Sequence, residues 1–460
     1  MKNAAFLIGV FGAIFAFSIA ANAQDGIQKT PFWNDPAFWE TRALKTPYKA
    51  DLSENEKIAG ISKFWSEAKY NFVNFDLVPG VDWDKEYLVH LEKVRQTRST
   101  LEYFRVLQEF AAKLHDGHTL VLPPTELSEL VNSRPMIQTA LIEGKVVITH
   151  VLDPELTAQG FAPGVEIAAI DRTEVKAFAE EKVAPYVSVS TPQARDYAVY
   201  TRWLLAGPIK TPVLLELRDA KGRTFSRSIP RVAFERWRAS ASDHEPFEMT
   251  RLPGNVLLVR LNTFTNPKTA DEFEKNFDTI EKADALVLDL RQNGGGSDAV
   301  GARILSLLLE NSFKSSKWAT REYHPAFRAW NKPDQLYTEA SEMVPKTATR
   351  TYSKPVVLLT SARTGSAAED FVLAFRTAER GLVIGESTSG SSGQPLVVSL
   401  PGGIIAGICT KYDTFPDGTP FIGVGIKPDV QVAPTIKDLL TGSDRAVARA
   451  LDQIRIQKLK

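Results

Sequence analysis

One pattern occurs twice in this chain and limits what it can fold into. Leu286-Val287-Leu288-Asp289-Leu290 runs into Arg291-Gln292-Asn293-Gly294-Gly295-Gly296, and Val356-Val357-Leu358-Leu359 runs through Thr360-Ser361-Ala362-Arg363-Thr364-Gly365 to Ser366-Ala367-Ala368-Glu369. In both, a short apolar run enters a turn and a helical pattern follows. A strand apolar at successive positions is buried on both faces, as parallel strands are when helices cover them. The same alternation predicts strands over 255–261, 285–290 and 355–359 and helices over 270–280, 298–309 and 367–377. Residues 249–435 therefore read as an α/β core.

The 460 residues suffice for two or three domains. Lys2 precedes an apolar run over 4–20, and Ala21-Asn22-Ala23 fits a small-x-small cleavage rule, so residues 1–23 read as a signal peptide cut before Gln24. A permanent anchor competes with that reading, but the run falls short of the ~20 residues a span needs. No cysteine stands directly after it, which argues against a lipid anchor. The chain is thus expected to be exported, periplasmic or secreted, without a stable membrane anchor after cleavage.

Residues 24–125 form an N-terminal arm and a helical domain, in which Ile58, Ile61, Phe64, Trp65 and Ala68, then Leu101, Phe104, Leu107, Phe110 and Leu114, recur at helical spacing. Ser53 with Glu56 forms a capping-box pattern. Residues 135–235 mix short strands (145–151, 165–170, 212–217) with polar helical sequence, and residues 436–460 end in an amphipathic helix over 444–456. Lys and Arg total 55 and Asp and Glu total 55, so no basic face invites nucleic acid. The single cysteine, Cys409, lies in an apolar strand pattern and reads as a packed thiol.

Ser366 sits where a buried strand turns into a helix. Backbone N–H groups and the helix dipole favour negative charge there, which suits an acyl-transfer nucleophile, and the N–H of Ala367 can donate to an oxyanion. A plain N-cap with Glu369 as its capping partner explains the segment equally well. The three glycines after Leu290 favour the first reading, because they expose N–H groups and let backbone approach a ligand. No Lys-Ser/Thr follows them, so they are not a phosphate loop. The few histidines lack metal-ligand spacing, and neither metal nor cofactor is expected.

Five ordered segments resemble the tail-specific, or C-terminal processing, serine protease family, which includes the tricorn protease core. They are the Leu-Asp-Leu-Arg-x-Asn-x-Gly-Gly turn, the Thr-Ser-Ala-x-Thr-x-Ser-Ala-Ala-Glu segment, Gly385-Glu386-Ser387-Thr388-Ser389-Gly390, Gly423-Val424-Gly425-Ile426-Lys427-Pro428-Asp429 and Asp116-Gly117-His118-Thr119. The resemblance implies a clp-protease-like (crotonase-like) catalytic core, an N-terminal helical domain, and a PDZ-like domain carrying Gly164-Val165-Glu166-Ile167-Ala168-Ala169-Ile170-Asp171. It implies a serine peptidase acting on polypeptides, with Ser366 as nucleophile and the N–H groups of Ala367 and Gly295 as oxyanion donors.

The sequence departs from the processing branch, whose general base is a lysine: Ser391 stands at that position. The tricorn-like branch uses a histidine instead, and His118 fits it, with a near-neutral pKa suited to proton transfer. That branch places a serine before the histidine where this chain has Gly117, and a glutamate where it has Phe421-Ile422. The group that orients His118 is left open among Asp116, Glu369 and Glu386. Asp289 and Arg291 are expected to bond around the glycine turn. The aromatic insertion over 315–350 reads as a lid, an interface or a packed flap, so homo-oligomerisation stays open. Two other functions also stay open: a non-catalytic binder retaining the fold, as retinoid-binding relatives do, and a hydrolase of small esters or amides.

Overall fold

The computed structural model describes residues 41–241 and 245–458, together with Trp39. The expected signal peptide and most of the N-terminal arm lie outside the described residues.

The core is a six-stranded sheet in the order Phe247–Leu252, Val256–Leu261, Ala285–Asp289, Val356–Thr360, Leu382–Gly385, Val430–Gln431. The first pairing is antiparallel and the remaining four are parallel. All five residues of Ala285–Asp289 and all five of Val356–Thr360 are buried, as the uninterrupted apolar runs predict. One face packs the helices Lys268–Lys275, Asp298–Leu308 and Ala367–Thr377 through Phe264, Phe273, Ile304, Phe371 and Phe375. The other packs Arg445–Lys458 through Ala446, Val447, Ala450 and Ile454. The helix expected over 270–280 is two helices, Lys268–Lys275 and Phe277–Lys282, broken at Asn276, whose side-chain amide donates to Glu272 O.

The helical region packs Glu54–Asn71, Trp83–Gln96 and Thr100–Ala112 around Phe64, Phe104, Leu107 and Phe110. The Ser53–Glu56 capping box is formed. This core also takes in Val398, Leu400, Ile404, Ala406, Ile408 and Cys409. Those residues come from the strands Pro395–Leu400 and Ile404–Cys409, which form an antiparallel sheet with Leu120–Leu122. Hydrophobic packing therefore crosses the sequence boundaries expected for these two regions. It brings the end of the helical region, two residues beyond His118, onto a strand from the core region. The Cys409 thiol is buried and burial pushes its pKa well up.

The middle region is a six-stranded antiparallel sheet in the order Ile137–Ile142, Lys145–Val151, Glu166–Ile170, Val213–Arg218, Thr224–Ile229, with the short strand Thr173–Glu174 paired to Glu166–Ile170 off this path. The aromatic insertion pairs Lys317–Glu322 with Gln335–Glu339 and with Tyr412–Thr414, while Trp330 and Tyr337 stay exposed. Among the described residues no helix is long and apolar enough to cross a membrane.

Candidate active site

Ser366 ends the turn after Val356–Thr360 and precedes the helix Ala367–Thr377. Its backbone is at φ 52°, ψ −132°, a combination that costs a residue with a Cβ on the order of 1–3 kcal/mol and persists only when its surroundings fix it. They do so here. Thr364 Oγ1 donates to Leu290 O (2.9 Å), Gly365 N to Asn293 O (3.2 Å) and Ser366 N to Ser391 O (2.9 Å). A Cβ on Gly295 would stand 2.7 Å from Ser366 Cβ, so only glycine lets the two turns lie this close.

His118 arrives from the loop between the helix Thr100–Ala112 and the strand Leu120–Leu122. Asp116 shapes that loop: its Oδ1 accepts from His118 N (2.9 Å) and its Oδ2 from Asn74 Nδ2 (2.8 Å). The imidazole lies between two serines, with Nε2 3.2 Å from Ser366 Oγ and Nδ1 2.8 Å from Ser391 Oγ. The distances bring His118 and Ser366 together, although they are 248 residues apart in sequence. Burial holds the His118 pKa below its usual 6.5, against the opposing pull of Asp116 and Asp413.

Three carboxylates were open as the group that orients His118, and none of them meets its Nδ1; Ser391 does. A Cβ on Gly117 would stand 2.6 Å from Ser391 Oγ. Glycine at 117 and serine at 391 are one steric arrangement.

Glu369 acts one step further out. Fully buried, its carboxylate accepts from Ser366 N (3.3 Å), Ser391 N (3.0 Å), Gly390 N (2.8 Å), Ser389 Oγ (3.2 Å) and Thr388 Oγ1. Burial pushes its pKa up to about 7 while these donors pull it down. Asp116 fixes the histidine loop from its backbone side, and Glu386 is pushed up by burial with Arg291 nearby.

The two expected oxyanion donors differ. Ala367 is the first residue of its helix, so its N–H lies outside the i→i−4 ladder and points from the helix N-terminus. Gly295 lies against Ser366, but its N–H donates to Asn293 Oδ1 at 2.9 Å. Asp289 and Arg291 form a two-pronged pair (2.9 and 2.7 Å) that also reaches Asp444, anchoring the glycine turn to the C-terminal segment. One turn into the helix, burial pushes the Asp370 pKa well up, and the carboxylates of Asp298 and Asp413 add to the shift; Lys411 pairs with Asp413 at 2.9 Å.

Residues 255–432 match the model of Peptidase family S41. A chloroplastic C-terminal processing peptidase of Tetradesmus obliquus is 29% identical over 184 residues, 39% of this chain and 35% of that relative. The chloroplastic carboxyl-terminal-processing peptidase 1 of Arabidopsis thaliana is 24% identical over 350 residues, 73% of this chain and 64% of that relative. The chain thus spans between about a third and about two thirds of the length of these curated relatives. The solved structure of mature CPAF complexed with lactacystin superposes with a TM-score of 0.67 at 15% identity, covering 87% of this chain and 97% of that one. At that identity the likeness is one of fold: an α/β, clp-protease-like core with N-terminal helices.

Proposed function

We propose that this chain, whose residues 255–432 carry a Peptidase family S41 core, is a serine peptidase that cleaves polypeptides through an acyl-enzyme on Ser366. One observation carries the reading: the His118 imidazole lies between Ser366 Oγ and Ser391 Oγ at a helix N-terminus. In this mechanism His118 Nδ1–H donates to Ser391 Oγ, which leaves Nε2 free to take the Ser366 proton as Oγ attacks the scissile carbonyl. The Ala367 N–H receives the developing oxyanion. Gly295 serves as second donor once its N–H is shared with, or released from, Asn293. His118 then gives its proton to the leaving amine, and an attacking water repeats the cycle in reverse.

Three finer statements belong to the same reading. Export by residues 1–23 into the periplasm or medium rests on the charged–apolar–small pattern, and N-terminal sequencing of the exported protein should begin at Gln24. The 135–235 region as a PDZ-like unit rests on its Gly164–Asp171 segment and antiparallel sheet. The domain limits 24–125, 249–435 and 436–460 rest on the change in sequence pattern.

The test is covalent labelling with a fluorophosphonate, alongside hydrolysis of a denatured protein substrate. Wild type should label. Ser366→Ala should not, and its turnover should fall by roughly 10⁴-fold or more. His118→Ala should label far more slowly. Labelling that survives Ser366→Ala would sink the assignment.

A further inference from the structure

His118 and Ser391 are joined to each other by one side-chain hydrogen bond, and neither belongs to the central sheet. A third segment, from the middle region, holds both loops. Ser188 Oγ donates to Asp116 O (2.8 Å), and Ser190 Oγ accepts from Gly117 N (3.2 Å). These two backbone groups immediately precede His118. Thr191 Oγ1 donates to Ser389 O (2.8 Å), and Gln193 Nε2 donates to Thr388 O and Val424 O (2.9 Å each). Ser389 and Thr388 lie two and three residues before Ser391.

The approach is close on the side of the glycines at 390 and 425, both at positive φ. A Cβ on Gly390 would stand 2.5 Å from Thr191 Cγ2, and one on Gly425 would stand 2.7 Å from Gln193 Nε2. Thr191 also caps the short helix Pro192–Asp196 by accepting from Ala194 N, so its hydroxyl ties middle-region backbone to the Ser391 loop. Behind the segment lies a groove of about 430 Å³, lined by His115, Val187, Val189 and Arg195 among others.

We propose that the stretch from Ser188 to Gln193 is a clasp that sets the register of His118 against Ser366, with Ser190 and Gln193 as positioning residues. The proposal rests on the reading of Ser366 as nucleophile. A catalytic partner displaced by about 1 Å can cost roughly 100-fold in rate. Each clasp bond contributes to keeping the partner in place. Both residues grip backbone atoms beside the reacting groups and touch none of the reacting atoms.

The experiment compares fluorophosphonate labelling rates of the full chain for wild type, Gln193→Ala, Ser190→Ala, Ser190→Thr and the double variant Ser190→Ala/Gln193→Ala, with the His118 ring followed by NMR. Each single alanine variant should slow labelling roughly tenfold and the double variant more. Ser190→Thr should keep the wild-type rate because it keeps the hydroxyl. The slowed variants should retain melting temperatures within a few degrees of wild type, while the His118 ring resonances shift as the Ser391 contact loosens. Wild-type rates in Gln193→Ala and Ser190→Ala overturn the clasp. So does slow labelling that merely tracks a fall in melting temperature with His118 resonances unmoved. A wild-type protein that does not label at all overturns the underlying assignment of Ser366 instead, which keeps the two failures apart. Because Gln193 is half-buried, Gln193→Ala carries the test should the double variant fail to fold.

Discussion

The turn that carries Ser366 and the loops that carry His118 and Ser391 come within hydrogen-bonding distance, yet different forces hold them. Ser366 follows a strand with parallel neighbours on both sides, and its turn is bonded to the adjacent glycine turn through Thr364 and Gly365. Moving it means breaking the sheet, so the strained backbone is over-determined. His118 and Ser391 are held by side-chain-to-backbone bonds from Asp116, Glu369 and the middle region, each a net contribution of about 1 kcal/mol. Ser366, the proposed nucleophile, is built into the fold, whereas His118 and Ser391 depend on a set of local bonds. Proteins that regulate a catalytic site draw their moving parts from such low-stability segments.

Glu369 bridges the two systems, since one carboxylate oxygen accepts from both Ser366 N and Ser391 N. Glu369→Gln is therefore the harshest test of the contrast. The amide replaces one acceptor with a donor amid groups that already donate, leaving buried N–H groups unpaired. It should cost about 2–3 kcal/mol of stability and, by letting the Ser391 loop drift, lower kcat roughly 100-fold. Urea unfolding and peptide hydrolysis read the two effects. A variant that loses stability while keeping its turnover would show that the partner loops hold their register without this bridge.

A smaller effect sharpens the steric half of the comparison. Gly117→Ser would press its Cβ against Ser391 Oγ and should lower kcat at least tenfold. Ser391→Ala removes the acceptor of His118 Nδ1–H and should cost about tenfold, the rate equivalent of ~1.4 kcal/mol. Combining the two moves the hydroxyl from one loop to the other, as the tricorn-like pattern arranges it. The double variant should recover part of the loss, measured as a coupling in a double-mutant cycle. Strict additivity would mean that positions 117 and 391 do not share one space.

The same contrast explains which parts could be read from the residues. Apolar runs such as Val356-Val357-Leu358-Leu359 report local burial directly, so the three expected core strands and the Ala367–Thr377 helix match expectation within a residue, while the strands Phe247–Leu252, Leu382–Gly385 and Val430–Gln431 were not foreseen. Ser366 stood out for the same reason, since strand, turn and helix are contiguous. The partner of His118 Nδ1 was hidden because it depends on two loops meeting 273 residues apart in sequence. The signal was present in part: Gly117 and Ser391 each departed from a family pattern, and the two positions lie against each other. Single positions weighed one at a time pointed to carboxylates instead. The inclusion of strands 395–409 in the helical core was also invisible, because periodicity gives a strand's type without its partners.

The mildest expected effect is on stability against pH, and it separates the two buried groups by sign. His118 has a folded pKa below 6.5. Between the two values the unfolded chain carries a proton that the folded one lacks, so stability rises with pH through this window and falls as pH drops below 6.5. Glu369 behaves oppositely: its folded pKa of about 7 lies above the ordinary 4.5. The folded state binds the extra proton between those values, and stability falls as pH rises across them. Urea unfolding at pH 5, 6, 7 and 8 should therefore show His118→Ala losing the acid-side decline and Glu369→Gln losing the opposing slope. In Glu369→Gln, where the second titration is removed, the remaining activity should follow His118, since only its neutral form can take the Ser366 proton, so the acid limb of kcat/KM in that variant should centre below 6.5. An acid limb centred above 6.5 would mean that the ring feels the nearby carboxylates more than its burial, and that the partner loops sit more open to water than this arrangement holds them.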